Sequence, residues 1–307
     1  MQNVNKNKSL LSYIYYERYM YLLLVLGLLY FLIFKYLPIF GIVVAFKDYN
    51  IFKGIWASTW VGFEHFETLF TSVKFWEVLR NTILISAYKI VSGFSIPIIF
   101  ALLLNEIKNI YFKRTVQTIL YLPHFISWVV IGGMMLSLMS LEYGMLKDIF
   151  KLFDIAPFNI LASSKYFRSV LVITDIWRGA GWGIIIYLAA LNNIDLNLYE
   201  SAKIDGAGRL KQAWHITLPG IMSVMVLVLI LDIGRLMNAG FEQVISLYNY
   251  IVFDVADIFD TYIYRVGLGG GQYSFTTAVG LFKSVVATIL IAMADRVSKL
   301  VAGEGLF

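Results

Sequence analysis

Seven residues in the second half of the chain break long apolar runs with groups that hydrogen-bond, carry charge or stack. Asp175, Trp177, Arg178 and Trp182 fall in one run, and Asp232, Arg235 and Asn238 in the next. A polar side chain inside an apolar span is costly, so it tends to face a cavity rather than lipid. Asp232 and Arg235 stand three apart and share a helix face, which suits either a mutual ion pair or the wall of a pathway. Trp177 and Trp182 read first as anchors at a membrane interface. This set can bind a solute without reacting with it. Covalent chemistry finds no support elsewhere: there is no H-E-x-x-H, no nucleophile elbow and no cysteine. No G-x-x-x-x-G-K-[ST] cradles a phosphate, and Gly269-Gly270-Gly271 follows no strand, so it reads as a loop. His65, His124 and His215 are scattered without metal-ligand spacing, and Asp254, Asp257 and Asp260 read as a solvated helix face rather than a cation site.

The elements that must position these residues are membrane helices. Of 307 residues, 59% are hydrophobic and only 15% charged, with a mean hydropathy of +0.74. A soluble domain carries about 25% charged residues. The expected class is all-α and polytopic, with apolar side chains facing lipid as well as one another. Net charge is +5, which suits loops facing anionic lipid. No tract of Lys and Arg interleaved with aromatics points to nucleic acid. Six spans are expected at about 19–46, 78–104, 115–140, 169–191, 216–239 and 275–300. A segment 1–18 precedes them and a tail 301–307 follows. Pro38 is expected to kink the first span, and Gly132-Gly133 to let helices pack closely in the third. Lys6, Lys8, Arg18, Lys108, Lys113, Arg114, Lys203, Arg209, Lys211, Arg296 and Lys299 lie on one side in short segments. The other side carries a similar number spread over long loops, so density places both termini in the cytoplasm.

Between the fourth and fifth spans lies a charged, turn-containing segment at 196–219. Asn197 is expected to cap a short helix, with Glu200 reaching back in an approximate capping box. Tyr199, Ala202, Gly206, Leu210, Ala213 and Trp214 fall at helical spacing as one apolar stripe. Gly206 and Gly208 interrupt it. Leu218-Pro219 then leads straight into the fifth span, which implies a stiff link. By physics alone this is an amphipathic connector in the headgroup region.

The order of residues says more. Glu200-Ser201-Ala202, then Gly206, then Ile216-x-Leu218-Pro219 resembles the EAA loop of ABC importer permeases. The centre Asp205-Gly206-Ala207 resembles the pattern of their sugar-transporting branch. Ser201 departs from the usual alanine, a mild change. The runs LPHFISWVVIGG, DIWRGAGWG, DTYIYRVGL and GQYSFTTAVGLFKSV look like multi-sugar and polysaccharide permeases.

That resemblance implies the type I importer permease fold with six transmembrane helices in a bacterial plasma membrane. It implies that Glu200, Ser201, Ala202, Asp205, Gly206, Ala207, Leu210, Ile216, Leu218 and Pro219 form a coupling helix seated on a cytoplasmic ATPase. The implied partners are a second permease, two nucleotide-binding subunits and an extracytoplasmic solute-binding protein. ATP and Mg belong to the ATPase, so this chain holds no cofactor and is not an enzyme. The cargo implied is an oligosaccharide or polysaccharide, met by late span four and mid span five. Arg178 and Arg235 suggest an acidic one. The other readings are a permease for a peptide, amino acid or anion, and a stand-alone membrane enzyme or channel.

Overall fold

The structure is a computed structural model that describes residues 16–302. Lys6, Lys8 and the end of the 301–307 tail lie outside the described residues. The first helix, α1 (Arg18–Phe31), runs on through a π turn at Leu32–Tyr36 into a 3-10 segment at Leu37–Phe46. The change of winding surrounds Pro38, whose missing N–H breaks the ladder. None of α1 is buried.

A loop follows, holding two-residue strands β1 (Lys47–Asp48) and β2 (Thr59–Trp60) around the turn α2 (Gly54–Ala57). His65 reaches the Lys47 carbonyl at 3.1 Å. It lies on α3 (Glu64–Thr71), which leads into the long α4 (Val73–Asn105), with Pro97 inside it.

The third span departs from the single helix expected at 115–140. It divides into α5 (Ile110–Tyr121), a 3-10 turn at Leu122–Phe125, and α6 (Trp128–Leu138), bent by 99°. Pro123 forces the tight turn, Ile126 is extended, and Ser127 caps α6 through the Val130 amide at 3.4 Å. At the other end, Asn109 caps α5 by accepting from the Tyr111 and Phe112 amides.

Next come α7 (Met145–Leu152) and α8 (Phe167–Leu191). The elbow holds α9 (Leu196–Ile204) and α10 (Arg209–Gln212). A π turn at Ala213–Thr217 carries the chain into α11 (Leu218–Gly220). The fifth span, α12 (Met222–Gly234), leaves the elbow at a 62° bend. The straight entry expected from Leu218-Pro219 is therefore corrected to a bent one. Ile221, after Pro219-Gly220, drops out of helical geometry at φ −106°, ψ 6°.

Beyond Gly234 lie α13 (Phe241–Leu247), α14 (Phe253–Ala256) and α15 (Phe259–Ile263). A π turn at Tyr264–Gly269 precedes the last helix, α16 (Tyr273–Ala302). Among the described residues, four helices are long and apolar enough to cross a membrane, and up to six if each bent pair is one span.

The helices pack where small residues let backbones meet. A Cβ on Gly181 of α8 would stand 2.3 Å from the Leu120 carbonyl of α5, and one on Gly132 of α6 would strike Ser246 of α13. Gly133 has open space, so only half of the glycine pair serves packing. Three apolar clusters result. One around Ile184, Leu188 and Ile221 sits toward the elbow, and one around Phe167, Val244 and Ile258 toward the far end. The third packs Phe75 and Phe259 against α16.

Candidate functional site

Two places gather the residues singled out in the sequence. The first is a cavity of about 520 Å³ at mid-span, walled by α4, α8, α12 and the segment 235–240. Asp175 and Trp182 are seven residues apart, two turns of α8, so both face it. Asp232, Arg235 and Asn238 face it from the other side. Trp182 stacks on His124 with ring centroids 5.1 Å apart and an interplanar angle of 13°, yet stays 55% exposed, so a ring face remains open.

Trp177 and Arg178 are not brought to this cavity. Trp177 turns into an apolar groove between α6 and α8, beside Met134 and Ile173. Arg178 donates from Nε to the Ile126 carbonyl at 2.9 Å, and its guanidinium lies 4.9 Å over the Trp128 ring. It fastens the α5–α6 bend, which leaves its backbone groups in need of partners. Asp232 and Arg235 form no ion pair with each other. The helix ends at Gly234, and what joins the two residues is backbone: the Arg235 amide donates to the Asp232 carbonyl at 3.0 Å.

Sequence reasoning did not single out Lys89, the cation at the middle of α4. Its Nζ donates to the Ala239 carbonyl at 2.7 Å and to Gln243 Oε1, and stands 3.8 Å from Asp175 Oδ1. Gln243 is fully buried and donates in turn to the Leu171 carbonyl and Thr174 Oγ1, both at 2.7 Å. Lys89 thus ties α4 and α8 to the break between α12 and α13. The signal available was its charge at mid-span, where a lysine needs a partner or water.

The second place is the elbow. The cap of α9 is Asp195, whose Oδ1 accepts from the Asn197 amide at 2.9 Å. The expected Asn197–Glu200 box does not form, because the helix starts two residues earlier. Gly206 has φ +74°, and the Ala207 amide bonds the Ala202 carbonyl at 2.8 Å. That is a left-handed helix ending, which favours glycine. The turn splits the expected apolar stripe. Tyr199 folds inward, its hydroxyl 2.9 Å from Thr217 Oγ1. Leu210 is 87% and Trp214 70% exposed. Glu200, Ser201, Asp205 and Pro219 are also exposed, Ala202, Ala207 and Ile216 half-buried. Leu218 packs on the nearest apolar cluster. Arg209 meets Glu106 at the end of α4, 3.3 Å away. His215 bonds only the Lys211 carbonyl among the described residues, at 3.0 Å.

At the far end the three aspartates divide: Asp254 stays exposed, as a solvated face requires, while Asp257 is buried and Asp260 partly so. Asp257 is fully buried and accepts from both Arg265 nitrogens, at 3.1 and 2.5 Å, and from Thr261 at 2.8 Å. Lys74 stands 3.6 Å away. Burial pulls the Arg265 guanidinium down, but the bond and charge of Asp257 outweigh it and hold it above its usual range. Asp254 accepts from Ser164, and Asp260 pairs with Lys283.

Comparison with known proteins agrees with this architecture. The chain is 46% identical over 302 residues to the polygalacturonan/rhamnogalacturonan transport system permease protein YteP of Bacillus subtilis (strain 168), covering 98% of this chain and 94% of that one. It is 45% identical over 291 residues to protein LplB of the same organism, covering 95% and 92%. In three dimensions it matches a chain of a bacterial ABC transporter involved in the import of the acidic polysaccharide alginate, with a TM-score of 0.88 and 36% identity, covering 96% and 99%. Residues 93–303 match the description of binding-protein-dependent transport system inner membrane components. With most of its length inside that match and its long apolar helices around a polar mid-span cavity, the chain belongs to this family of ABC transport permeases.

Proposed function

We propose that the chain imports an acidic oligosaccharide or polysaccharide segment through the mid-span cavity, as one of two permease subunits around a shared pathway. The observation that carries this is the composition of the cavity wall. An open Trp182 face offers C–H stacking to a sugar ring, and Asp175, Asp232 and Asn238 offer partners for hydroxyls. Arg235 faces the same space with no ion pair among the described residues, so a sugar carboxylate can pair with it. The names of the relatives support a saccharide cargo, and an acidic polysaccharide is named for the structural neighbour.

The termini and the elbow face the cytoplasm in this reading. Glu200, Ala202, Asp205, Gly206 and Leu210 present the elbow to a nucleotide-binding subunit, which holds ATP and Mg. A solute-binding protein delivers the saccharide from outside; a complex with an alginate pentasaccharide-bound periplasmic protein is named for a second structural neighbour. ATP binding brings the two nucleotide-binding subunits together, the elbows move with them, and the spans rock so that the cavity opens outward. The 62° bend at Ile221 makes this link a bent lever rather than a straight rod.

The test is ATP-driven uptake in proteoliposomes holding both permeases, the ATPase and the binding protein. A galacturonate oligomer should be taken up and a neutral oligomer of equal length should compete poorly. Uptake without any ATPase, or equal competition by the neutral oligomer, would count against the reading.

A further inference from the structure

Among the described residues, buried side-chain polar atoms without a hydrogen-bond partner are confined to three: Ser86 Oγ, His124 Nδ1 and Tyr187 Oη. All three residues line the mid-span cavity. None was singled out for binding by its sequence. Natural structures leave few buried polar groups unpaired, and each exception asks for a reason.

Ser86 shows the exception best. Helical serines and threonines usually turn back to the carbonyl one turn earlier. In the same helix Ser92 donates to the Tyr88 carbonyl at 2.8 Å and Thr82 to the Val78 carbonyl at 2.8 Å. Ser284, Thr288 and Thr174 do likewise in other helices. Ser86, only 3% exposed, makes no such bond. Tyr187 is 1% exposed, and its hydroxyl also lacks a partner. A phenylalanine there would satisfy the surrounding apolar cluster equally well.

The placement has a direction. Ser86 lies one turn before Lys89, whose ammonium faces Asp175 on α8. Tyr187 lies twelve residues beyond Asp175 on α8, about 18 Å along the axis at 1.5 Å per residue. His124 and Trp182 stand between those levels. The unpaired groups are therefore strung along the cavity, not clustered at one point.

Resting on the reading above, we propose that Ser86, His124 and Tyr187 form a ladder of hydroxyl-binding groups for an extended saccharide, distinct from the charged residues of the wall. Hydroxyls can both donate and accept, so one ligand type suits a serine, an imidazole and a phenol in sequence. Each of these polar atoms is covered in the structure, so a saccharide reaches it only as the side chain turns out to the cavity.

This makes two opposite demands on the same variants. Ser86→Ala and Tyr187→Phe delete only an oxygen. Each should bind a galacturonate tetrasaccharide about 5- to 10-fold more weakly, as expected for one lost hydrogen bond of about 1–1.5 kcal/mol. Without saccharide, each should melt at the same temperature as the wild type or slightly above it, because an unpaired buried group has been removed. The measurement is equilibrium binding of the labelled tetrasaccharide to the purified full transporter without its binding protein, beside thermal unfolding with and without sugar. Wild-type affinity in both variants overturns the ladder while leaving the import reading intact. A lower melting point without sugar also overturns it, because the oxygens then serve the fold. If the wild type binds no saccharide at all, the import reading fails first and the ladder with it.

Discussion

The two ends of this molecule treat their polar groups in opposite ways. At the far end Asp257 is fully buried and surrounded by Arg265, Thr261 and Lys74. Asn81 reaches the Asp254 and Asp257 carbonyls at 3.0 and 3.3 Å and accepts from Arg168 at 2.7 Å. These bonds join α4, α8, α14 and α15 into one knot. At the elbow the ion pair is exposed, the helices are short, and Ile204 and Leu210 are each 87% exposed. The far end supplies its own partners. The elbow shows apolar side chains that the rest of the chain leaves uncovered. The contrast separates a frame from a handle, and it can be tested by breaking each part in turn.

Asp257→Ala should do the most damage. It strips the buried carboxylate from Arg265 and Thr261 while leaving their polar groups in place. Removing one member of a buried pair costs about 3–5 kcal/mol. The expected result is a large fall in the detergent melting temperature and a low yield of folded protein. Asp257→Asn keeps the shape and some of the hydrogen bonds and should fall between the variant and the wild type.

That knot was hidden in the sequence, and its case shows what a sequence conceals. Asp254, Asp257 and Asp260 are spaced as if on one continuous helix, which suggested a wet face. The chain instead breaks at Asp257, between α14 and α15; Asp254 meets Ser164 and Asp260 meets Lys283, while Asp257 takes Thr261 and Arg265 from close by and Lys74 from α4. Only tertiary packing decides such pairings. The spans were legible because long apolar runs have few alternatives in a membrane. Their bends were less so: Pro97 lies within α4, whereas Pro123 sits at a 99° turn. Proline removes a donor in both places, but the neighbours decide whether the helix recovers. Of the cavity residues, Asp175 and Trp182 could be read from their two-turn spacing. Arg178 was drawn off by the α5–α6 bend, a demand that no local pattern announces, and Trp177 by the apolar groove beside α6.

Gln243→Leu should come next. Lys89 would keep the Ala239 carbonyl and the nearby Asp175, but lose Gln243 Oε1. A buried ammonium short of one partner costs about 1–3 kcal/mol. The melting temperature should fall less than with Asp257→Ala. Uptake should fall further than stability alone explains, because Lys89 loosens at the cavity wall. A variant as damaging as Asp257→Ala would place the cavity within the frame.

Gly206 tests the handle. A Cβ there meets nothing within 4 Å, so the cost lies only in φ +74°. The left-handed conformation costs an ordinary residue about 1–2 kcal/mol, and asparagine less. Gly206→Asp should insert normally and melt near the wild type, yet lose ATP-coupled uptake. Gly206→Asn sharpens the point. Recovered coupling would show that backbone shape is what the ATPase grips, and continued loss that the partner needs bare backbone.

The smallest effect belongs to Arg209 and Glu106. Their side chains are 72% and 55% exposed, and such pairs contribute about 0.2–1 kcal/mol, less in salt. A double-mutant cycle with Arg209→Ala and Glu106→Gln, read by thermal unfolding of the permease, should give a coupling energy at the low end of that range. The pair is nonetheless placed where it joins the elbow to the end of α4, so its size reports how firmly the handle is held before any partner arrives. A coupling well above about 1 kcal/mol would mean that the elbow is already rigid by its own contacts. The division between a frame that satisfies itself and a handle completed by its partner would then be wrong. A weak coupling in the isolated permease that strengthens when the ATPase is bound would confirm it, because the partner then supplies the order that the exposed elbow lacks.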